Sequence, residues 1–151
     1  MAAGARPLYI DLESTGFNME ANDLESKITS ATRAIIVQHT FGIPADLDRI
    51  VQIAQQKGIP VIEDCCHTLA TRYKGKFVGT FGVGSFYSYE WGKPLVVGIG
   101  GSVLVNDIHL MEKMKNQYSS FQFPSKSSSY RLQLQVPCSQ NSLPPFSLLA
   151  C

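Results

Sequence analysis

The run Val61-Ile62-Glu63-Asp64-Cys65-Cys66-His67 decides the fold class of this sequence. Its apolar start predicts a short buried strand over residues 60–63, and a carboxylate and an imidazole follow that strand directly. Open α/β sheets bind their ligands just beyond the carboxyl ends of their strands. Asp64 and His67 are therefore candidate binding residues. The alternative is structural, with Asp64 capping the next turn and His67 hydrogen-bonded inside the protein.

A metal site is not expected in this run. Cys65, Cys66 and His67 are adjacent in sequence, and adjacent side chains rarely converge on one tetrahedral ion.

The surrounding chain alternates short β-branched runs with helical patterns, which predicts an α/β fold with a mostly parallel sheet and flanking helices. The predicted strands are residues 8–12, 34–38, 60–63, 84–89 and 101–105. A hairpin is expected over residues 71–78, where Gly75 can adopt a positive φ.

Helices are predicted over residues 46–57, 20–28 and 107–118. In the first, Asp46 is the expected N-cap and Gly58 the stop. Its buried face should carry Leu47, Ile50, Val51 and Ala54, and the inward residues of the last helix should be Leu110, Met111 and Met114.

A second group of polar residues follows the predicted strand 84–89. Ser88 and Lys93 should lie at the same edge of the sheet as Asp64, and Gly98-Ile99-Gly100-Gly101 would let backbone approach a ligand. The alternative, when each feature is considered alone, is that Lys93 is a solvated surface lysine and that the glycines form a tight turn. The glycine run lacks the pattern of a phosphate loop and the spacing of a dinucleotide fingerprint, so mononucleotide chemistry is not indicated.

Together these residue types suit a site for pyridoxal phosphate. The lysine forms a Schiff base, a carboxylate keeps the pyridine nitrogen protonated, and a hydroxyl binds the phosphate. Attack on a carbonyl needs an uncharged lysine, and partial burial of Lys93 beside Trp91 would disfavour the ammonium form.

Over most of residues 5–118 the sequence resembles the DegT/StrS-type sugar aminotransferases, which are pyridoxal-phosphate enzymes of fold type I. The similarity implies a partial aspartate aminotransferase-like large domain. The matching segments are Ala5-Arg6-Pro7-Leu8-Tyr9-Ile10-Asp11, Phe17-Asn18, Thr32-Arg33-Ala34-Ile35-Ile36, His39-Thr40-Phe41-Gly42-Ile43-Pro44-Ala45-Asp46, Glu63-Asp64-Cys65-Cys66-His67, Tyr73-Lys74-Gly75-Lys76, Gly79-Thr80-Phe81-Gly82 and Ser88 to Lys93, leading to Gly100-Gly101.

The resemblance implies a role for each candidate residue. Asp64 would pair with the pyridine nitrogen, and His67 would lie near the phenolic oxygen of the cofactor. Ser88 would contact the phosphate, and Lys93 would be the catalytic and cofactor-binding lysine. The implied reaction transfers an amino group, commonly from glutamate, to a nucleotide-linked keto sugar in polysaccharide or secondary-metabolite biosynthesis. A homodimer is the usual state of the family.

The resemblance also implies that the chain is an internal fragment, with the family's upstream phosphate loop and small domain missing. We expect a partial large domain over residues 1–118 and a poorly ordered Ser/Pro-rich tail over 119–151. The alternative to an enzyme is an inactive fragment that acts as an interaction module through uncovered sheet edges.

The composition indicates which partners and which cellular compartment to expect. The 151 residues carry 13 basic and 12 acidic side chains, so a formal charge of +1 favours neither nucleic acid nor an acidic membrane as partner. Two of the four cysteines are adjacent, which does not suit a disulfide framework, and no apolar signal segment or spanning run is visible. The expected location is the cytoplasm.

Overall fold

The computed structural model describes residues 4–98, 100–121, 125 and 127. A four-stranded sheet forms its centre, in the order β1-β2-β5-β6, with β1, β2 and β5 parallel and β6 antiparallel to β5. The sheet strands are β1 (Ile35–Gln38), β2 (Val61–Asp64), β5 (Gly84–Ser88) and β6 (Gly101–Val105). The other elements are α1 (Ala21–Lys27), α2 (Leu47–Lys57), β3 (Arg72–Tyr73), β4 (Lys76–Phe77) and α3 (Ile108–Ser119). The predicted mixed, mostly parallel sheet with flanking helices is confirmed.

Helix α2 begins and ends where the sequence predicts. The Asp46 carboxylate accepts a hydrogen bond from the Arg49 N–H at 3.3 Å, and Gly58 closes the helix in a left-handed conformation at φ 64°. Its buried residues are Leu47, Ile50, Ile53 and Ala54. Val51, expected on this face, is only half-buried, whereas Ile53 is buried instead, and α2 packs against α1.

The N-terminal strand predicted over residues 8–12 is wrong, since that segment forms only one isolated bridge, between Leu12 and Met19. Its backbone groups bond elsewhere. The Asp11 N–H donates to the Asp23 carboxylate at 2.7 Å, and the Asp11 carbonyl accepts from Glu20 N–H at 2.8 Å. Leu12 is 62% exposed, and Ile10 is the one half-buried residue of this segment, packed against the hydrophobic core.

The other predicted elements form with small shifts in their ends. The hairpin of β3 and β4 turns at Lys74 and Gly75, with φ 48° and 84°. In α3, Leu110 and Met111 are half-buried as expected, but Met114 is 41% exposed. Helix α3 packs against β6, at the margin of the sheet, and this position covers only its first turn.

The two faces of the sheet differ in their cover. Ile35, Val37, Val61 and Glu63 lie on one face, buried under the helical layer. The opposite face is open among the described residues, and on it Ile36 is 58% and Val103 60% exposed. The predicted tail, 119–151, falls almost wholly outside the described residues. Of the described helices, none has the length and apolar character to cross a membrane.

Candidate functional site

Three of the predicted residues lie at or beyond the carboxyl ends of two neighbouring strands, at the same edge of the sheet. Asp64 is the last residue of β2 and pairs in register with Phe86 of β5. Ser88 is the last residue of β5, two positions beyond Phe86. Because alternate residues of a strand share a face, Asp64 and Ser88 lie on the same, open face. Lys93 follows in the loop from β5 to β6.

Asp64 has a local structural contact, as the alternative interpretation predicted. Its Oδ1 accepts a hydrogen bond from the Cys66 N–H at 3.0 Å, which closes the turn after β2. The side chain is half-buried. The bond fixes the direction of the carboxylate and uses one lone pair, so capping the turn and binding a ligand are compatible roles.

The loop from β5 to β6 holds Lys93 in a tight turn. The Lys93 N–H donates to the Glu90 carbonyl at 3.1 Å, and Gly92 supplies the positive φ, 81°, that the third turn position requires. Tyr89 closes the loop on both sides, bonding to Val97 N–H at 3.1 Å and to the Gly100 carbonyl at 2.9 Å. Lys93 is half-buried, whereas the neighbouring Trp91 is 42% exposed.

The thiol of Cys66 connects Asp64 and Lys93 electrostatically. Burial raises the pKa of this thiol to about 11, and the hydrogen bond and negative charge of Asp64 add to the increase. The positive charge of Lys93 acts in the opposite direction and lowers the pKa. Opposite charges, from the end of β2 and from the loop between β5 and β6, therefore act on one half-buried sulfur. No direct hydrogen bond joins the side chains of Asp64, His67, Ser88 and Lys93 within the described part of the chain.

Ser88 is half-buried, and its hydroxyl accepts only a long contact, 3.5 Å, from the Glu90 N–H. A cavity of about 210 Å³ adjoins it. Asp64 and Lys93 lie outside the lining of this cavity, which consists of Thr68, Leu69, Ala70, Tyr87, Ser88, Tyr89, Pro94, Leu95 and Ser102. Another hollow, of about 270 Å³, lies at the opposite edge of the sheet and is remote from the candidate residues.

His67 is half-buried beside the loop that follows β1. Its Nδ1 accepts a hydrogen bond from the Phe41 N–H at 3.3 Å, and its ring stacks on Phe41 with centroids 6.0 Å apart. A neutral imidazole that accepts at Nδ1 carries its proton on Nε2. His67 is therefore a hydrogen-bonded histidine with one donor, Nε2–H, available.

Sequence reasoning missed a buried acid next to the site. Glu63 is fully buried and accepts four hydrogen bonds, three of which tie β2 to the loop before β5. The donors are His39 Nε2 at 3.3 Å and the N–H groups of Gly79 at 2.6 Å, Phe81 at 2.7 Å and Gly82 at 2.8 Å. The sequence did contain an indication of this acid, because Glu63 alternates with Val61 and Cys65 and so occupies an inward position of the strand.

His39, Glu63 and Cys65 lie close enough together to suggest a metal centre, with potential ligand atoms within 4.8 Å of one another. Their chemistry argues against one. The Nδ1 of His39 accepts from the Ala45 N–H at 3.2 Å, and the Glu63 oxygens already have four donors. Burial raises the pKa of the Cys65 thiol to about 11, so the thiolate that a metal requires is disfavoured. The cluster is a satisfied structural network.

A mostly parallel sheet with polar side chains at its carboxyl edge places the chain in the open α/β class, whose members bind their ligands at that edge. Comparison with known proteins gives the particular family. The DegT/DnrJ/EryC1/StrS aminotransferase family matches residues 1–135, and the chain belongs to it. The predicted resemblance is confirmed.

Individual relatives agree with this assignment. GDP-perosamine synthase from Escherichia coli O157:H7 is 40% identical over 110 residues, which are 73% of this chain and 30% of that protein. Among solved structures, Helicobacter pylori PseC, an aminotransferase of pseudoaminic acid biosynthesis, superposes with a TM-score of 0.74 at 27% identity, covering 83% of this chain and 33% of PseC.

A further neighbour bears on the cofactor. Spr1654 from Streptococcus pneumoniae, solved in a PLP form, has a TM-score of 0.71 at 26% identity and covers 78% of this chain and 34% of its own. The fold is therefore that of part of a pyridoxal-phosphate-dependent aminotransferase. The chain spans about a third of the length of these relatives.

Proposed function

We propose that this chain supplies the cofactor-binding residues of a pyridoxal-phosphate-dependent aminotransferase that acts on a nucleotide-linked keto sugar. One observation carries the proposal. Asp64 and Ser88 end adjacent strands on one face of the sheet, and the half-buried Lys93 acts electrostatically on the thiol beside Asp64. The names of the relatives support the substrate class, with glutamate the proposed amino donor and a homodimer the proposed assembly.

The donor set fits pyridoxal phosphate. A carboxylate suits the protonated pyridine nitrogen, a hydroxyl suits the phosphate, and an imidazole N–H suits the phenolic oxygen. In this proposal those contacts come from Asp64, Ser88 and His67. When bound, the cofactor supplies an aldehyde and an electron-accepting ring for amino-group transfer.

Each side chain has a defined task in the proposed site. Asp64, aligned by the Cys66 N–H, would keep the ring nitrogen protonated. His67 would orient the ring through Nε2–H, and the Ser88 hydroxyl would donate a hydrogen bond to a phosphate oxygen. Lys93 would hold the cofactor through Nζ until the donor amine replaces it, and the freed lysine amine would then take and return the proton of the donor's Cα.

Covalent trapping tests the proposal on the full chain. After incubation with pyridoxal phosphate and reduction with borohydride, peptide mapping should find the label concentrated on Lys93. Lys57, an exposed lysine at the end of α2, is the matched control. Asp64→Asn and Ser88→Ala should each lower labelling of Lys93 and leave labelling of Lys57 unchanged. Equal labelling of the two lysines in the unaltered chain would contradict the proposal.

The second candidate is a non-enzymatic interaction module, which the open face of the sheet favours. Ile36 and Val103, 58% and 60% exposed, are apolar side chains on a surface that parallel sheets normally cover. Light scattering with and without pyridoxal phosphate separates the candidates. Association that proceeds without preferential labelling of Lys93 supports the module, whereas preferential labelling supports the enzyme.

A further inference from the structure

The loop after β1 places an exposed aromatic residue in a strained conformation. Phe41 has φ 54° and ψ 24°, the left-handed region that residues with a Cβ rarely occupy. Its side chain is 70% exposed, so the strain is not explained by burial of the ring. Strain of this kind persists only where the surroundings impose it, and it is concentrated at functional sites.

Asn18 imposes this conformation from the other side of the loop. The Asn18 side chain is buried, and its Oδ1 accepts from the Thr40 N–H at 2.9 Å while its Nδ2 donates to the Ile43 carbonyl at 3.1 Å. Gly42 has φ 79°, and a Cβ there would lie 3.1 Å from the His67 carbonyl oxygen. The Asn18 side-chain amide thus holds the backbone on both sides of Phe41. The backbone at Gly42 lies close to His67.

The strained conformation directs two groups of Phe41 at His67. The backbone N–H donates to Nδ1 at 3.3 Å, and the ring stacks on the imidazole at 6.0 Å with an interplanar angle of 5°. Phe17 packs edge-on against Phe41, at 5.3 Å and 84°. Hydrogen bond and stacking together fix both the tautomer and the plane of the imidazole.

We propose that Phe41, held by Asn18, is a positioning residue that keeps His67 as the Nε2–H tautomer and orients this donor toward the phenolic oxygen of pyridoxal phosphate. This inference rests on the proposed function. Phe41 acts through His67 and makes no contact of its own with the cofactor.

Nitrogen-15 NMR of the histidine rings tests the tautomer in the chain without cofactor. His39 is an internal reference, because its Nδ1 accepts from Ala45 and its Nε2 bonds to Glu63. His109 is exposed, and its ring has no hydrogen bond among the described contacts, so it serves as the averaged reference. His67 should match His39. A His67 spectrum like that of His109 would overturn the proposal.

The variant that tests the contact is Phe41→Gly. Position 41 is exposed and its φ suits glycine, so the variant should fold, which the unchanged His39 resonances would verify. Glycine keeps the backbone N–H that donates to Nδ1 but removes the stacked ring and loosens the loop, so the His67 spectrum should shift part of the way toward that of His109. Asn18→Ala should cause the same shift, but the burial of Asn18 makes Phe41→Gly the decisive variant. Unchanged His67 resonances in Phe41→Gly would overturn the proposal.

A double-mutant cycle on pyridoxal phosphate labelling of Lys93 shows whether Phe41 acts through His67. Phe41→Gly should weaken labelling about three- to tenfold, the scale of one lost aromatic contact, because the ring that stacks on His67 is removed. In a His67→Ala background the same change should have no further effect. Equal losses in the two backgrounds would overturn the proposal. Absence of Lys93 labelling in the unaltered chain would instead refute the proposed function, while the tautomer measurement would still decide the role of Phe41.

Discussion

At the scale of the residue, Glu63 is the main stabilising polar group beside the site. Burial raises the pKa of its carboxyl, but the hydrogen bonds from His39 and three backbone N–H groups outweigh burial and hold the pKa below its ordinary value. A buried acid is favourable only when its charge is compensated in this way. Sequence reasoning could not find the network, because His39 and Glu63 are 24 residues apart and the three backbone donors lie in an irregular loop.

Glu63→Gln should destabilise the fold by about 3–5 kcal/mol, because the amide replaces one acceptor oxygen by a donor that faces backbone N–H groups. Urea unfolding at neutral pH measures this change. Asp48→Asn, at an exposed ion pair with Lys74, is the matched control and should have a much smaller effect. Equal losses of stability would show that the Glu63 charge does not stabilise the fold.

The lowered pKa of Glu63 also predicts how stability depends on pH. A carboxyl whose pKa is lower in the folded state stabilises the protein above its unfolded pKa, and this contribution is lost as the pH falls through the folded pKa. The unaltered chain should therefore lose stability below about pH 4.5, the ordinary value. Glu63→Gln should lose less over the same interval. If the two proteins lost stability equally as the pH falls, the lowered pKa of Glu63 would not be the cause of the loss.

The thiol of Cys66 reports the arrangement of Asp64 and Lys93 without any cofactor. Since Asp64 raises its pKa and Lys93 lowers it, Asp64→Asn should speed alkylation by iodoacetamide at pH 8 and Lys93→Met should slow it, each by roughly two- to fivefold. The measurement uses a Cys138→Ser/Cys151→Ser background, and Cys65, 1% exposed, should stay unlabelled.

The matched controls for this measurement are Asp48→Asn and Lys57→Met, which change the same charges at exposed positions of α2. Neither should alter the alkylation rate of Cys66. If Lys93→Met behaves like Lys57→Met, then Lys93 does not approach the turn after β2, and the proposed site loses its lysine.

At the scale of the element, α2 and the strands of the sheet could be predicted because their signals are local. Asp46 and Gly58 are capping residues of the expected types, and β1 and β2 each alternate buried with less buried residues. The strand predicted over residues 8–12 does not form, because the backbone groups of Asp11 bond to α1 and to the residue before it. No local sequence pattern indicates these contacts. The strained loop at Phe41 was also missed, since Asn18 holds it from 22 residues away.

Asp46→Ala should destabilise the chain by about 1–2 kcal/mol, because the N-cap of α2 is lost. The same carboxylate accepts a hydrogen bond from Tyr73 Oη at 3.0 Å, so the hairpin of β3 and β4 should loosen as well. Urea unfolding measures the first effect, and amide exchange in the hairpin measures the second. Asp46→Asn, whose side-chain oxygen can still cap the helix, should recover most of the stability. If Asp46→Asn lost as much stability as Asp46→Ala, the charge of Asp46 and not its capping hydrogen bond would stabilise α2.

At the scale of the whole molecule, the sheet is half-covered among the described residues. Helices α1 and α2 bury one face, while the face that carries Asp64 and Ser88 also exposes Ile36 and Val103. Parallel strands are usually buried on both faces. The matched region is only about a third of the length of the relatives. The proposed site and the open apolar face therefore belong to the same surface.

The open face predicts that the chain binds the hydrophobic dye ANS in its folded state. Replacing Ile36 and Val103 by threonine keeps β-branched residues in the strands but removes apolar surface from this face. The double variant should show roughly half the dye fluorescence of the unaltered chain and unfold at a similar urea concentration, because neither side chain is buried. Leu12→Thr changes a residue that is 62% exposed in the N-terminal segment, away from the sheet strands, and should leave the fluorescence nearly unchanged. If the two variants lowered the signal equally, dye binding would be a property of scattered apolar residues, and the sheet face would have no special part in it.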